Sequence, residues 1–108
     1  MKPQKLTEKE LERELSKEGK TVVVDFYADW CGPCKMLSLV YDAVAQDFDD
    51  VLFGKVNIDE EPEAARRFGV QTIPTVIVFE NGLPQRTQKG FVRPTELRDF
   101  VMQARSSL

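Results

Sequence analysis

Val22-Val23-Val24-Asp25-Phe26-Tyr27-Ala28-Asp29-Trp30-Cys31-Gly32-Pro33-Cys34-Lys35 decides the fold. It begins as an apolar, β-branched run and ends in the only two cysteines of the chain, just ahead of a helical pattern. Residues 21–28 read as a strand, with Val22, Val24, Phe26 and Ala28 on one face and Val23, Asp25 and Tyr27 on the other. Apolar residues on both faces predict a central strand covered on both sides. Asp25 is the exception. Either it is hydrogen-bonded and inert, or burial raises its pKa and makes it a proton acceptor near neutral pH.

The pattern around the cysteines predicts thiol chemistry. Cys31 falls at or just before a helix N-terminus, where free N–H groups and the helix dipole favour a thiolate; Lys35 adds positive charge. Cys34, one turn deeper, is expected to be less accessible and to act as the resolving thiol. Gly32 and Pro33 make the tight connection, and Pro33 opens the helix without wasting an N–H. A C-x-x-C pair reads as a redox site or half a metal site. The chain has no other cysteine and no histidine, so a closed zinc site would need carboxylates. The redox reading is preferred, with no metal and no bound cofactor.

Outward from this segment, residues 33–47 read as a long helix. Its apolar stripe is Leu37, Val40, Val44 and Phe48; Lys35, Ser38, Asp42, Gln46 and Asp49 mark the wet face. Residues 51–58 form a second strand whose alternation Gly54 interrupts. A short helix starts at Asp59-Glu60-Glu61-Pro62 and stops at Phe68-Gly69. On the N-terminal side, Thr7 and Glu10 form a capping box, Leu6 and Leu11 a hydrophobic staple, and Gly19 a stop. Residues 1–5 carry at most a faint strand.

Downstream, Ile73-Pro74-Thr75 introduces the strand Val76-Ile77-Val78-Phe79, and Asn81-Gly82 is a hairpin signal. The return, residues 83–90, is polar throughout, and Pro84 confines it to an edge. Pro94 and Glu96 open the last helix, Val92 and Leu97 staple it, and Leu97, Phe100, Val101 and Ala104 form its stripe. The order predicts one α/β domain over residues 1–108: a mixed sheet of four or five strands flanked by four helices.

Composition narrows the function. A net charge of −3 argues against general affinity for nucleic acid or acidic membranes. No run is long enough to span a bilayer. Residues 1–20 are charged throughout and do not read as a secretory signal, so a cytoplasmic monomer is expected.

Trp30-Cys31-Gly32-Pro33-Cys34-Lys35 resembles the active-site signature of the thioredoxin family. The resemblance covers nearly the whole chain: Asp25-Phe26-Tyr27-Ala28, Lys55-Val56-Asn57-Ile58-Asp59, Phe68-Gly69-Val70, Ile73-Pro74-Thr75, Phe79-Glu80-Asn81-Gly82 and Gly90 all match the family pattern. It implies the thioredoxin fold and a protein-disulfide reductase in which Cys31 attacks and Cys34 resolves. It also implies that Asp25 helps deprotonate Cys34, with Lys55 modulating it. Pro74 would be cis, and the Ile73 backbone would pair with an extended substrate. Trp30, Gly32, Pro33, Ile73, Pro74, Gly90 and Phe91 would form the docking surface. The implied partners are disulfide-containing proteins and a recharging reductase that draws on NADPH through a flavoenzyme or on ferredoxin.

Two other readings compete: a thiol oxidant or isomerase of the same fold, and a binding module that uses the docking surface alone. Gly32-Pro33 speaks against the first and the intact Cys31, Cys34 and Asp25 against the second. The chain departs from the family at Leu39, where a helix-kinking proline is usual, so an unbroken helix is expected there. Tyr27 stands where tryptophan is more familiar, and the last strand is unusually polar.

Overall fold

The computed structural model describes residues 2–106. The single-domain expectation over 1–108 also touches Met1, Ser107 and Leu108, which lie outside the described residues. Five strands, β1 (Gln4–Lys5), β2 (Thr21–Tyr27), β3 (Val51–Asn57), β4 (Thr75–Glu80) and β5 (Leu83–Lys89), form one mixed sheet in the order β1-β3-β2-β4-β5. β2 lies in the middle, parallel to β3 and antiparallel to β4. The faint first strand exists as two residues paired with β3.

Among the described residues, four helices cover the sheet: α1 (Glu8–Leu15), α2 (Gly32–Ala45), α3 (Pro62–Arg67) and α4 (Pro94–Ser106). Val23, Val76 and Val78 pack with α2 and α4 on one face. Val22, Val24, Phe26 and Ile77 pack with α1 and α3 on the other. The alternation of β2 is thus divided between two apolar layers, and Asp25 points to the α2 side with Val23.

The local signals hold. Thr7 and Glu10 exchange both capping-box hydrogen bonds, and Leu6 and Leu11 are buried in one cluster. α1 ends at Leu15 with Ser16 as its cap, short of Gly19, whose φ of 68° serves the turn that follows. Gly54 interrupts its strand for a packing reason: a Cβ there would stand 2.6 Å from Leu6 Cδ1. Glu96 accepts from the Arg93 N–H at the start of α4.

The polar return strand lies at the sheet edge, as expected: β5 pairs with β4 along its whole length, exposed, with Gln85 as the extra residue of a bulge beside Pro84. Backbone pairing suffices there, and the bulge absorbs the missing proline donor. The buried stripe of α2 is broader than Leu37, Val40, Val44 and Phe48. Tyr41 and Ala45 are fully buried, whereas Val40 only leans against the core. As expected, α2 runs unbroken through Leu39, which is exposed.

Asn81 and Gly82 have φ of 51° and 80°, the two positive values of a type I′ hairpin turn. A Cβ on Gly82 would come within 2.5 Å of the Leu15 carbonyl oxygen, whereas Gly69, at φ 68°, has open space. Gly69→Ala therefore carries backbone strain alone, and Gly82→Ala adds a clash with main chain. Urea unfolding is expected to show a loss of about 1 kcal/mol for Gly69→Ala and of at least ~2 kcal/mol for Gly82→Ala. Equal losses would contradict this account of the turn.

Candidate active site

β2 ends at Tyr27, and after four connecting residues the chain enters α2 at Gly32. Cys31 is the N-cap of that helix, in extended conformation, and its Sγ accepts the Cys34 N–H at 3.2 Å. Pro33 lies in the first turn, where its missing N–H leaves no acceptor unmet. Cys31 and Cys34 are joined by a disulfide, with Cα atoms 5.2 Å apart. The expected contrast in access is small: Cys31 is 5% exposed and Cys34 3%. Both cysteines cluster with Ala28, and Ile73 packs against them.

The Ile73–Pro74 bond is cis. This loop brings the Ile73 carbonyl oxygen within 3.9 Å of Cys31 Sγ. The Pro74 carbonyl accepts the Gly90 N–H at 2.8 Å, and Thr75 Oγ1 donates to Thr72 O. Segments more than forty residues apart in sequence are thereby fixed beside the disulfide. Of the residues assigned to docking, Trp30, Gly32, Pro33 and Phe91 are exposed, Ile73 and Gly90 are half-buried, and Pro74 is buried. Trp30, 70% exposed, is held by Asp59, whose carboxylate accepts the indole N–H at 2.8 Å. It is therefore not core packing, and neither is Phe91, at 42%.

Behind the disulfide, Asp25 is fully buried, and neither carboxyl oxygen has a hydrogen-bond partner. Burial pushes its pKa up from the ordinary 3.8 to about 7; Lys55 opposes the rise and Asp42 adds to it. A cavity of about 400 Å³ joins Asp25 and Cys34, with Ser38 and Lys55 in its wall. Lys55 is the register partner of Asp25 on β3. Its ammonium donates to Ser38 Oγ at 2.6 Å and stands 5.5 Å from the centre of the Tyr27 ring. Below them, the Tyr41 hydroxyl reaches the Gly54 carbonyl at 2.7 Å and the Val23 carbonyl at 3.0 Å, tying α2 to β2 and β3. Burial pushes that phenol well above its ordinary value, and the charges of Asp25 and Asp42 push it further.

Sequence reading missed Ser38 and Tyr41. Tyr41 was legible, since it follows Leu37 by one helical turn. Ser38 was not, because its partner is 17 residues away on another element. Among the described residues, no group of three His, Cys, Asp or Glu side chains is arranged to hold a metal ion. No described helix is long and apolar enough to cross a membrane.

Known proteins resemble this arrangement. The family model described as thioredoxin matches residues 2–103. The thioredoxin of Mycoplasma genitalium is 41% identical over 92 residues, covering 85% of this chain and 89% of that protein. The thioredoxin of Mycoplasmoides gallisepticum is 44% identical over 92 residues, covering 85% and 91%. Among solved structures, a mutant thioredoxin from Halobacterium salinarum NRC-1 superposes with a TM-score of 0.87 at 32% identity, covering 95% of this chain and 90% of that one.

The Asp25 carboxyl sets a pH dependence of stability. The folded protein keeps its proton up to about pH 7, whereas an unfolded chain releases it near 3.8. Between those values the native state binds more protons, so this group lowers stability as pH rises, in full above pH 7. Asp25→Asn, which cannot ionise, is expected to unfold like the parent near pH 4. At pH 8 it should be more stable by roughly 3–5 kcal/mol. Denaturation curves at the two pH values check this; equal stability at pH 8 would refute it.

Proposed function

The chain belongs to the thioredoxin family and is a thiol–disulfide oxidoreductase that acts on disulfide substrates, and from that premise we propose how its residues divide the reaction. The observation that carries the assignment is the Cys31–Cys34 disulfide at the start of α2, packed against the Ile73–Pro74 loop. In the reduced protein the Cys31 thiolate attacks one sulfur of a protein disulfide. A Cys31–substrate disulfide forms and the first substrate thiolate leaves. The Cys34 thiolate then attacks Cys31 Sγ, and the second substrate thiolate leaves. Two electrons pass to the substrate, and the protein is left with the disulfide seen here.

Cys34 is buried and must lose a proton before it can attack. Asp25 takes it, a role supported by the cavity that both residues line. A carboxyl that titrates near neutrality can accept the proton and pass it to the departing thiolate. Lys55 tunes that carboxyl. Ile73 offers backbone hydrogen-bonding groups to an extended substrate segment, and Pro74 and Gly90 hold that edge in place. Trp30, Gly32, Pro33 and Phe91 supply the apolar surface around the exchanging sulfur.

The proposal extends to the setting of the protein. The chain acts as one monomeric domain in the cytoplasm, with neither nucleic acid nor membrane as partner. A separate reductase, fed by NADPH through a flavin or by ferredoxin, restores the two thiols.

Reduction of insulin disulfides tests the division of roles. Cys31→Ser is expected to lose all activity. Cys34→Ser is expected to keep the first step and to accumulate mixed disulfides through Cys31, visible as reducible adducts by mass spectrometry. Full activity of Cys31→Ser would rule the mechanism out.

A further inference from the structure

We propose that Ser38 is a positioning residue: its hydroxyl holds the Lys55 ammonium away from the Asp25 carboxyl, which is left without an ion-pair partner. The inference rests on the proposed role of Asp25. Asp25 and Lys55 are register partners on adjacent strands, where opposite charges ordinarily attract each other. Yet both Asp25 oxygens lack a partner, and the Lys55 ammonium bonds Ser38 instead, at 2.6 Å. Ser38 stands one turn after Cys34 on α2, so the same helix face carries the resolving thiol and the lysine's anchor.

The charges around this pair decide what happens if the anchor is lost. Cys34, Lys35 and Ser38 border the shared cavity from α2, Tyr27 and Asp29 from β2 and the loop after it, and Lys55 from β3. The Tyr41 phenol lies beneath Asp25 and interacts with its charge. A second cavity, on the outer side of Lys55, is bordered by Lys2, Asp42 and Gln46. A released ammonium thus has three carboxylates to choose from, Asp25, Asp29 and Asp42. Asp29 and Asp42 are exposed and Asp25 is not. The attraction between opposite charges is several-fold stronger at the effective dielectric of a protein site than in water. The ammonium therefore turns to Asp25 and stabilises its ionised form.

The test is an NMR titration of the Asp25 side-chain carboxyl carbon in the oxidised protein, where neither cysteine titrates. Ser38→Ala is expected to lower the midpoint by about 1 pH unit. Ser38→Thr, which keeps the hydroxyl, should restore it. In a Lys55→Met background Ser38→Ala should move nothing. An unchanged or raised midpoint in Ser38→Ala overturns the inference, as does an equal drop in the Lys55→Met background. A parallel measurement separates this from the proposed mechanism: the pH profile of product release from a preformed Cys31–substrate disulfide. If the midpoint falls and the profile follows, both stand. If the midpoint falls and the profile stays, the Ser38 inference stands and Asp25 leaves the mechanism.

Discussion

Burying one carboxyl in the middle of the sheet is the constraint on which the site depends. Asp25 sits on the central strand, paired on both sides and covered by α2. No hydrogen-bond donor compensates its charge. Desolvation therefore dominates, and the proton is held up to neutral pH. The same residue on β5, which is exposed along nearly its whole length, would be an ordinary surface acid. The apolar layers on both faces of β2 keep this group in place against its own unfavourable burial.

The second requirement is that a nucleophile and its substrate surface meet. The thiol comes from the β2–α2 junction, the backbone edge from the Ile73–Pro74 loop, and the support for that edge from Gly90. Two short links hold these pieces: the contact of Ile73 with Cys31 and the Gly90–Pro74 hydrogen bond. Asp59, in the turn after β3, orients Trp30 beside them. The site is thus built at one end of the central strands, as is common for sheets with parallel crossovers.

Helix α2 joins the two requirements. Its start holds the cysteines, and its buried side carries Leu37, Tyr41 and Val44 into the core. Between them, Ser38 reaches Lys55 and Tyr41 reaches the carbonyls of β2 and β3. Leu39 continues the helix without a break, so the backbone of this turn needs no side-chain compensation for a missing N–H.

Much of this was legible in the residues. Thr7 with Glu10, Asn81 with Gly82 and Pro94 with Glu96 each specify a boundary by chemistry within a few residues, and each boundary formed as read. The valines of β2, apolar on both faces, implied a covered central strand, and the C-x-x-C ahead of a helix implied redox thiols. What the sequence could not supply was long-range placement. That Gly54 makes room for Leu6, that β5 keeps its full length around a bulge, and that Lys55 turns to Ser38 rather than to Asp25 depend on neighbours distant in the chain. Local sequence thus determined the elements and the reactive groups, because capping, turn geometry and periodicity act over a few residues. Only the tertiary structure decided the proton affinity of Asp25 and the partner of Lys55, because desolvation and charge pairing are properties of the packed interior.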